Sequence, residues 1–459
     1  MNKSNQPKVP TELGTEKIGK LLMQYAIPAI IAQTASSLYH MIDSIFIGHI
    51  PDVGAFAISG LATTFPFMNL SAAFGAMVGV GGATQLSVRL GQRDYDSAKT
   101  ILGNLVTLNI LVGIIFATVS LLFLDDILIF FGASEQTLPF ARAFMEIILL
   151  GNAVTHLYLG INAALRSAGH PKQAMYATIL TVCMNIILAP LFIYIFGWGI
   201  RGAALATILA QSITLIWQIK LLSNPNELLH LQRGIYKLRK NIVKGILTIG
   251  MSPFFINVAA CIVVIIVNKG LRSYSDNGDM SIAAYGIANR VQFIFVMVVL
   301  GFTQGMQPIV GYNYGARLFI RVKETLKLTI IWGTIVTTVG FLISEFMPEI
   351  VARAFTTDEA LIESSARALR IISLVMPVIG FQLVTTNFFQ SIGKVNKSIF
   401  LSLTRQMLFL MPLLLILPLF WGEEGVWYSM PISDFIAAVL TVVLLVQQFK
   451  EWRKENIMN

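Results

Sequence analysis

ILGNLVTLNILVGIIFATVSLLFL, residues 101–124, runs for 24 positions without a charged side chain, between Lys99 and Asp125. About 20 such residues wound as a helix cross the roughly 30 Å hydrocarbon of a bilayer. In hydrocarbon every backbone N–H and C=O must be satisfied within the segment, so a helix is the form this run takes. Working outward, comparable windows occupy 20-47, 55-88, 98-123, 138-164, 173-196 and 199-221. Six more follow at 242-270, 280-313, 324-346, 361-389, 398-420 and 425-449. The expectation is an all-α polytopic membrane protein with twelve transmembrane helices.

Composition agrees. The 459 residues are 55% hydrophobic and 12% charged, against about 25% charged in soluble domains. A water-soluble globule and a single-pass receptor are both excluded. Cys183 and Cys261 lie within apolar runs, which implies neither a disulfide framework nor a metal cluster. The first 17 residues are polar and mixed in charge, unlike the apolar centre of a signal peptide.

The net charge of +9 invites a nucleic-acid reading, but its placement argues for lipid. With the N-terminus inside, 25 of the 33 lysines and arginines fall in inner segments. Arg201, Lys269, Arg272 and Arg353 fall outside, and Arg142, Arg290, Arg367 and Arg370 lie within or near spans. This bias satisfies the positive-inside rule and places both termini in the cytoplasm. Anionic membrane lipids then account for the charge, and no nucleic-acid partner is expected.

The two halves repeat at an offset of about 224 residues. Pro28 corresponds to Pro253, Gly75 and Gly79 to Gly301 and Gly305, Gly91 to Gly315, Gly169 to Gly393, and Gly202 to Gly425. Each half holds six spans, so the repeats run parallel, related by an axis along the membrane normal. The expected organisation is an N-terminal lobe at 1-221, a cytoplasmic linker at 222-241 and a C-terminal lobe at 242-459. Two pseudo-symmetric six-helix lobes around a cleft form an alternating-access plan.

Ionisable and polar groups within spans are the candidate working parts. Asp43 lies on the first span, and Asn185 and Thr207 lie at similar depth on the fifth and sixth. Three oxygen-bearing side chains there suit Na⁺, and the carboxylate alone suits a proton. The second half carries Asn268, Phe409 and Met430 at the corresponding positions, so the cluster is not a packing device common to both lobes. His40, one turn before Asp43, is a candidate to tune it. Glu146 either pairs with Arg142 or lines the cleft. Arg290 and Asp434, with Arg405, are expected to form a buried ion pair, with proton coupling or substrate binding as the other reading. Prolines at 28, 66, 190, 253, 308, 377, 412 and 418 fall inside spans and predict bends. No nucleotide-binding glycine loop or H-E-x-x-H motif occurs, and no enzymatic set is expected.

Several stretches carry a family likeness. These are LGTEKIGKLL at 13–22, YHMIDSIFIGHI at 39–50, RSAGHPK at 166–172, the segment from Asn185 through GWGIRGAALAT to Thr207, and QPIVGYNYGA at 307–316. With the six-plus-six repeat, the chain resembles the multidrug and toxic compound extrusion (MATE) family, closest to its bacterial MepA-like branch. The resemblance implies antiport of cationic amphipathic drugs and dyes across the bacterial inner membrane, driven by H⁺ or Na⁺, with no cofactor and a monomer sufficing. It implies a cation site in the N-terminal lobe at Asp43, Asn185 and Thr207. The family's fifth-span motif has Asp one turn beyond the Asn; here NIILAP at 185–190 puts Ala189 there. Loss of that carboxylate removes a hard ligand for Na⁺. Rival readings are a lipid-linked saccharide flippase of the same architecture and a non-transporting membrane sensor or scaffold.

Overall fold

The computed structural model describes residues 11–454, with helices throughout. Lys3 and Lys8 of the inner basic set lie outside the described residues. The first half runs α1 (Ile18–Gly48), α2 (Gly54–Gly91), α3 (Tyr95–Leu122), α4 (Leu138–Leu150), α5 (Asn152–Ser167), α6 (Pro171–Pro190) and α7 (Gly199–Leu222). The second half runs α8 (Lys240–Tyr274), α9 (Gly278–Gly315), α10 (Phe319–Phe346), α11 (Glu359–Ser373), α12 (Met376–Ser391), α13 (Val395–Leu403), α14 (Met411–Ile416) and α15 (Glu423–Lys454). A π-helical turn at Leu191–Ile195 extends α6, and another at Thr404–Leu410 joins α13 to α14. Among the described residues, ten helical stretches are long and apolar enough to cross a membrane. Two further spans are bent pairs, α4 with α5 at 56° and α11 with α12 at 52°. Counting each pair as one span gives the twelve expected, in a multi-pass membrane protein.

The bends follow the repeat. The α4–α5 break is at Gly151 and the α11–α12 break is at Leu374 and Val375, followed by Pro377, again about 224 residues apart. The turns repeat as well. Arg93 and Arg317 both take φ of 60°, and Gly199 and Gly422 take 54° and 57°. Helix starts carry local caps where the chain emerges from the spans. The Asp94 carboxylate accepts from Ser97 N (3.2 Å) at the head of α3, and Asp358 accepts from Ala360 N (3.0 Å) at the head of α11.

The chain forms two compact units. One comprises Ile31–Phe254 and Gly311–Ala316, with the described part of Met1–Glu16; the other comprises Lys17–Ile30, Phe255–Val310 and Arg317–Asn459. Helices α1 and α8 therefore each contribute to both units, changing over just after the repeat-related prolines Pro28 and Pro253. In the second unit the early part of α1 meets α9, where a Cβ on Gly305 would lie 2.6 Å from Ala26 N. In the first, the early part of α8 meets α2 at Gly250 and Met77.

Each unit has its own apolar core. The first is built around Phe67, Leu128, Phe144, Met145 and Phe192. The second is built around Val267, Leu271, Tyr285, Leu369 and Trp427. Small residues allow close helix approach in both. A Cβ on Gly79 would lie 3.3 Å from Gly160 Cα, and one on Gly380 would collide with the Gly333 carbonyl. The outward faces are apolar, as on α3, where Ile115, Val119 and Leu122 are exposed.

The segment between Leu222 and Lys240 is docked rather than loose. Asn104 of α3 donates from Nδ2 to the carbonyls of Ile235 (3.2 Å) and Lys237 (3.0 Å) and accepts from Arg239 N (2.8 Å). Thr107 donates to Tyr236 O (3.0 Å), and Leu228, Leu229 and Ile235 are buried.

Candidate cation site

The site is assembled by three helices of the first unit. Asp43 and Tyr39 are one turn apart on α1 and so share a face. Asn185 comes from the last turns of α6 and Thr207 from the third turn of α7. α6 and α7 are joined by the short turn through Gly197 and Gly199, both at positive φ. That turn folds them antiparallel and brings Asn185 level with Thr207.

Hydrogen bonds join the three helices at Thr207. Thr207 Oγ1 lies within hydrogen-bond reach of Ala203 O (3.2 Å). It then accepts from Asn185 Nδ2 (3.0 Å) and lies 2.9 Å from the Tyr39 hydroxyl. In the contact with Tyr39 either hydroxyl can donate, and Thr207 Oγ1 thus has three hydrogen-bonding neighbours. Asp43 is 7% exposed, and its Oδ1 has no hydrogen-bond partner among the described residues. The result is a buried carboxylate beside a saturated Tyr–Thr–Asn network.

Ala189 is fully buried, one turn beyond Asn185, among the apolar side chains of the first core. A carboxylate at this position would share the Asn185 face. Tyr39 was not among the residues singled out in the sequence, although its i to i+4 spacing from Asp43 carried the signal. His40, the residue singled out instead, is exposed and packs its ring on Tyr39 at a centroid distance of 4.8 Å. Tyr39, not His40, reaches the network.

The remaining candidates fall elsewhere. Glu146 is half-buried on α4, and its suggested partner Arg142 instead bonds Asp125 (2.7 Å). That contact joins α4 to the short helix at Leu124–Phe130. In the second unit Arg405 Nε donates to Asp434 Oδ1 (2.6 Å), and Ser433 Oγ donates to Arg405 O (2.7 Å). The expected ion pair thus forms between Arg405 and Asp434, while Arg290 is exposed and takes no part in it. The π-helical turn at Thr404–Leu410 carries Arg405. Its irregular winding leaves room for the bond to the Arg405 carbonyl.

Comparison with known proteins accords with this architecture. The MatE family model matches residues 28–191 and again 249–416, once in each half. The multidrug export protein MepA of Staphylococcus haemolyticus is 26% identical over 430 residues, 93% of each chain. Its counterpart in Staphylococcus aureus is 25% identical over 428 residues, again 93% of each. An outward-facing structure of a multidrug resistance MATE transporter of the MOP superfamily has a TM-score of 0.90 at 22% identity, covering 98% of this chain and all of that one. A MATE crystal structure in a bent conformation has a TM-score of 0.91 at 22% identity, covering 98% and 99%. The molecule is a multi-pass membrane transporter, not an enzyme. It belongs to the MatE family.

Proposed function

We propose that this chain is a cation-coupled antiporter that expels cationic amphipathic small molecules across the bacterial inner membrane. Both termini face the cytoplasm, and one chain works as a monomer. The observation that carries the reading is Asp43, a buried carboxylate with an unpartnered oxygen, set in one unit and replaced by Asn268 in the repeat. Intramembrane carboxylates of this kind mark ion pathways. The relatives named as multidrug exporters support the drug-like substrate class.

Binding of a cation at Asp43 neutralises an uncompensated buried charge. For this to drive export, ion affinity must differ between the drug-accepting and drug-releasing states, since a ligand binding both equally shifts neither. The network bears on which ion serves. Na⁺ requires several oxygen ligands, yet Thr207 Oγ1 is already hydrogen-bonded to Asn185 and Tyr39. Recruiting Thr207 would mean breaking one of these bonds, whereas a proton needs only the carboxylate oxygen. Ala189 removes the further carboxylate that would favour Na⁺. The proton is therefore the coupling ion we favour.

Dye efflux from cells expressing the parent chain or Asp43→Asn, with Na⁺ and pH gradients varied separately, tests the reading. Efflux should follow the proton gradient in the parent and vanish in Asp43→Asn. Undiminished gradient-driven efflux in Asp43→Asn would refute coupling at this residue.

A further inference from the structure

The polar side chains of the first unit continue past Thr207 toward the α5–α6 turn. Thr181 Oγ1, one turn from Asn185 on α6, donates to Thr214 Oγ1 of α7 (2.9 Å). Tyr158 of α5 is buried at this level, one turn before Asn162. One turn further along α5, Asn162 donates to Thr178 Oγ1 (3.4 Å) and to Ala174 O (2.8 Å). From the level of Asn185 to that of Ala174 the file covers about 16 Å at 1.5 Å per residue. At its end Arg166 donates from Nη1 to Asn162 Oδ1.

Among the described residues no carboxylate pairs with Arg166; its side-chain hydrogen-bond partner is Asn162. An acid at this end of the unit, Glu227, faces His170 instead (3.4 Å). The second unit differs. The repeat puts Gln390 in place of Arg166 and Arg405 in place of Thr181, and Arg405 is paired with Asp434. The first unit alone ends a hydroxyl-lined file on an uncompensated guanidinium.

We propose that Arg166 is an electrostatic seal that stops the ion held at Asp43 from draining through the first unit. This rests on the coupling role proposed for Asp43. A file of hydroxyl and amide groups can pass protons, or admit water and a small cation. A guanidinium cannot relay a proton, because it does not release one, and its fixed positive charge raises a barrier to any cation, as arginines do in selective pores. Arg166 is thus a positioning residue for coupling: it confines ion release to the conformational change. A purely structural arginine would need only its bond to Asn162.

The purified chain is reconstituted into liposomes, and the passive decay of an imposed pH gradient, and in parallel of a Na⁺ gradient, is followed without drug. The parent should be tight to both ions, and Arg166→Lys, which keeps the charge but can release its proton, should be tight to Na⁺. Arg166→Gln should leak about tenfold faster, as expected for a modestly lowered barrier. Asn162→Asp should leak too, because it leaves Arg166 and its bond in place but supplies the missing counter-charge. That variant is nearly isosteric, so it carries the test if Arg166→Gln does not fold. Adding Asp43→Asn to either leaky variant should remove the excess leak. Parental tightness in folded Asn162→Asp, a Na⁺ leak in Arg166→Lys equal to that of Arg166→Gln, or a leak that survives Asp43→Asn would each overturn the seal. Drug transport by the parent is scored separately. Leak-free variants beside a transporting parent sink the seal alone, whereas unaltered transport in Asp43→Asn sinks the coupling.

Discussion

Thr207 spends all three of its hydrogen-bonding positions on Ala203, Asn185 and Tyr39, and that economy decides what substitutions nearby should do. Ala189→Asp adds a carboxylate one turn from Asn185. It should give efflux a Na⁺ dependence the parent lacks, read as transport against stepped Na⁺ at fixed pH; unchanged ion dependence would count against the site. In the second unit, Asp434→Ala strands a partly buried guanidinium and should lower stability by about 3 kcal/mol, in line with broken buried pairs. Replacing Arg405 and Asp434 together with apolar residues should recover most of that loss in a detergent melt. At the head of α3, hydrogen bonding by Ser97, helped by Arg89, holds the Asp94 carboxyl below the usual carboxylate range. A depressed folded value means its stabilisation is present above the unfolded value and is lost as pH falls through the folded one. Asp94→Ala should therefore cost up to about 1 kcal/mol at neutral pH. The gap to the parent should close as unfolding is measured at progressively more acid pH below the ordinary carboxylate value.

Elements were the most legible level. The apolar windows, the proline positions and the repeat all appear in the structure as helices, because hydrocarbon leaves the backbone no alternative. What escaped the sequence reading were features set by tertiary contact. The bend at Gly151 interrupts a window that read as continuous, since apolarity reports depth and not direction, whereas the break at Leu374–Val375 falls just before Pro377, one of the prolines expected to bend a span. Arg142 finds Asp125, 17 positions away on another helix, rather than Glu146 on its own. The segment after Leu222 read as a polar linker, yet Asn104, within the most apolar run of the first half, clamps it. That Asn was itself the signal, as a buried polar side chain in a span requires a partner. A Cβ on Gly103 would collide with the Ile235 carbonyl. Gly103→Val should accordingly release this segment, at a cost of about 1–3 kcal/mol for overpacking, and expose it to limited proteolysis in a chain whose helices persist. Within the site, Asp43, Asn185 and Thr207 were legible as three oxygen-bearing side chains at one depth. Tyr39 and the saturation of Thr207 were not, because hydrogen-bond direction depends on side-chain geometry.

At the scale of the molecule, the exchanged segments are the feature with the longest reach. Residues Lys17–Ile30 belong with the second unit and the start of α8 with the first. Each sequence half thus supplies chain to the other's unit, the first half Lys17–Ile30 and the second half the start of α8 together with Gly311–Ala316. Two polypeptides cut between Arg233 and Gly234, made together in one cell, should co-purify and expel dye; made singly, neither should yield a folded product. The same geometry speaks to descent. A six-helix forebear built this way could not have finished its own unit and would have needed a twin to lend it a helix. Fusion of the two copies then made a reciprocal loan between neighbours permanent, and freed one copy to keep an acid where the other has an amide.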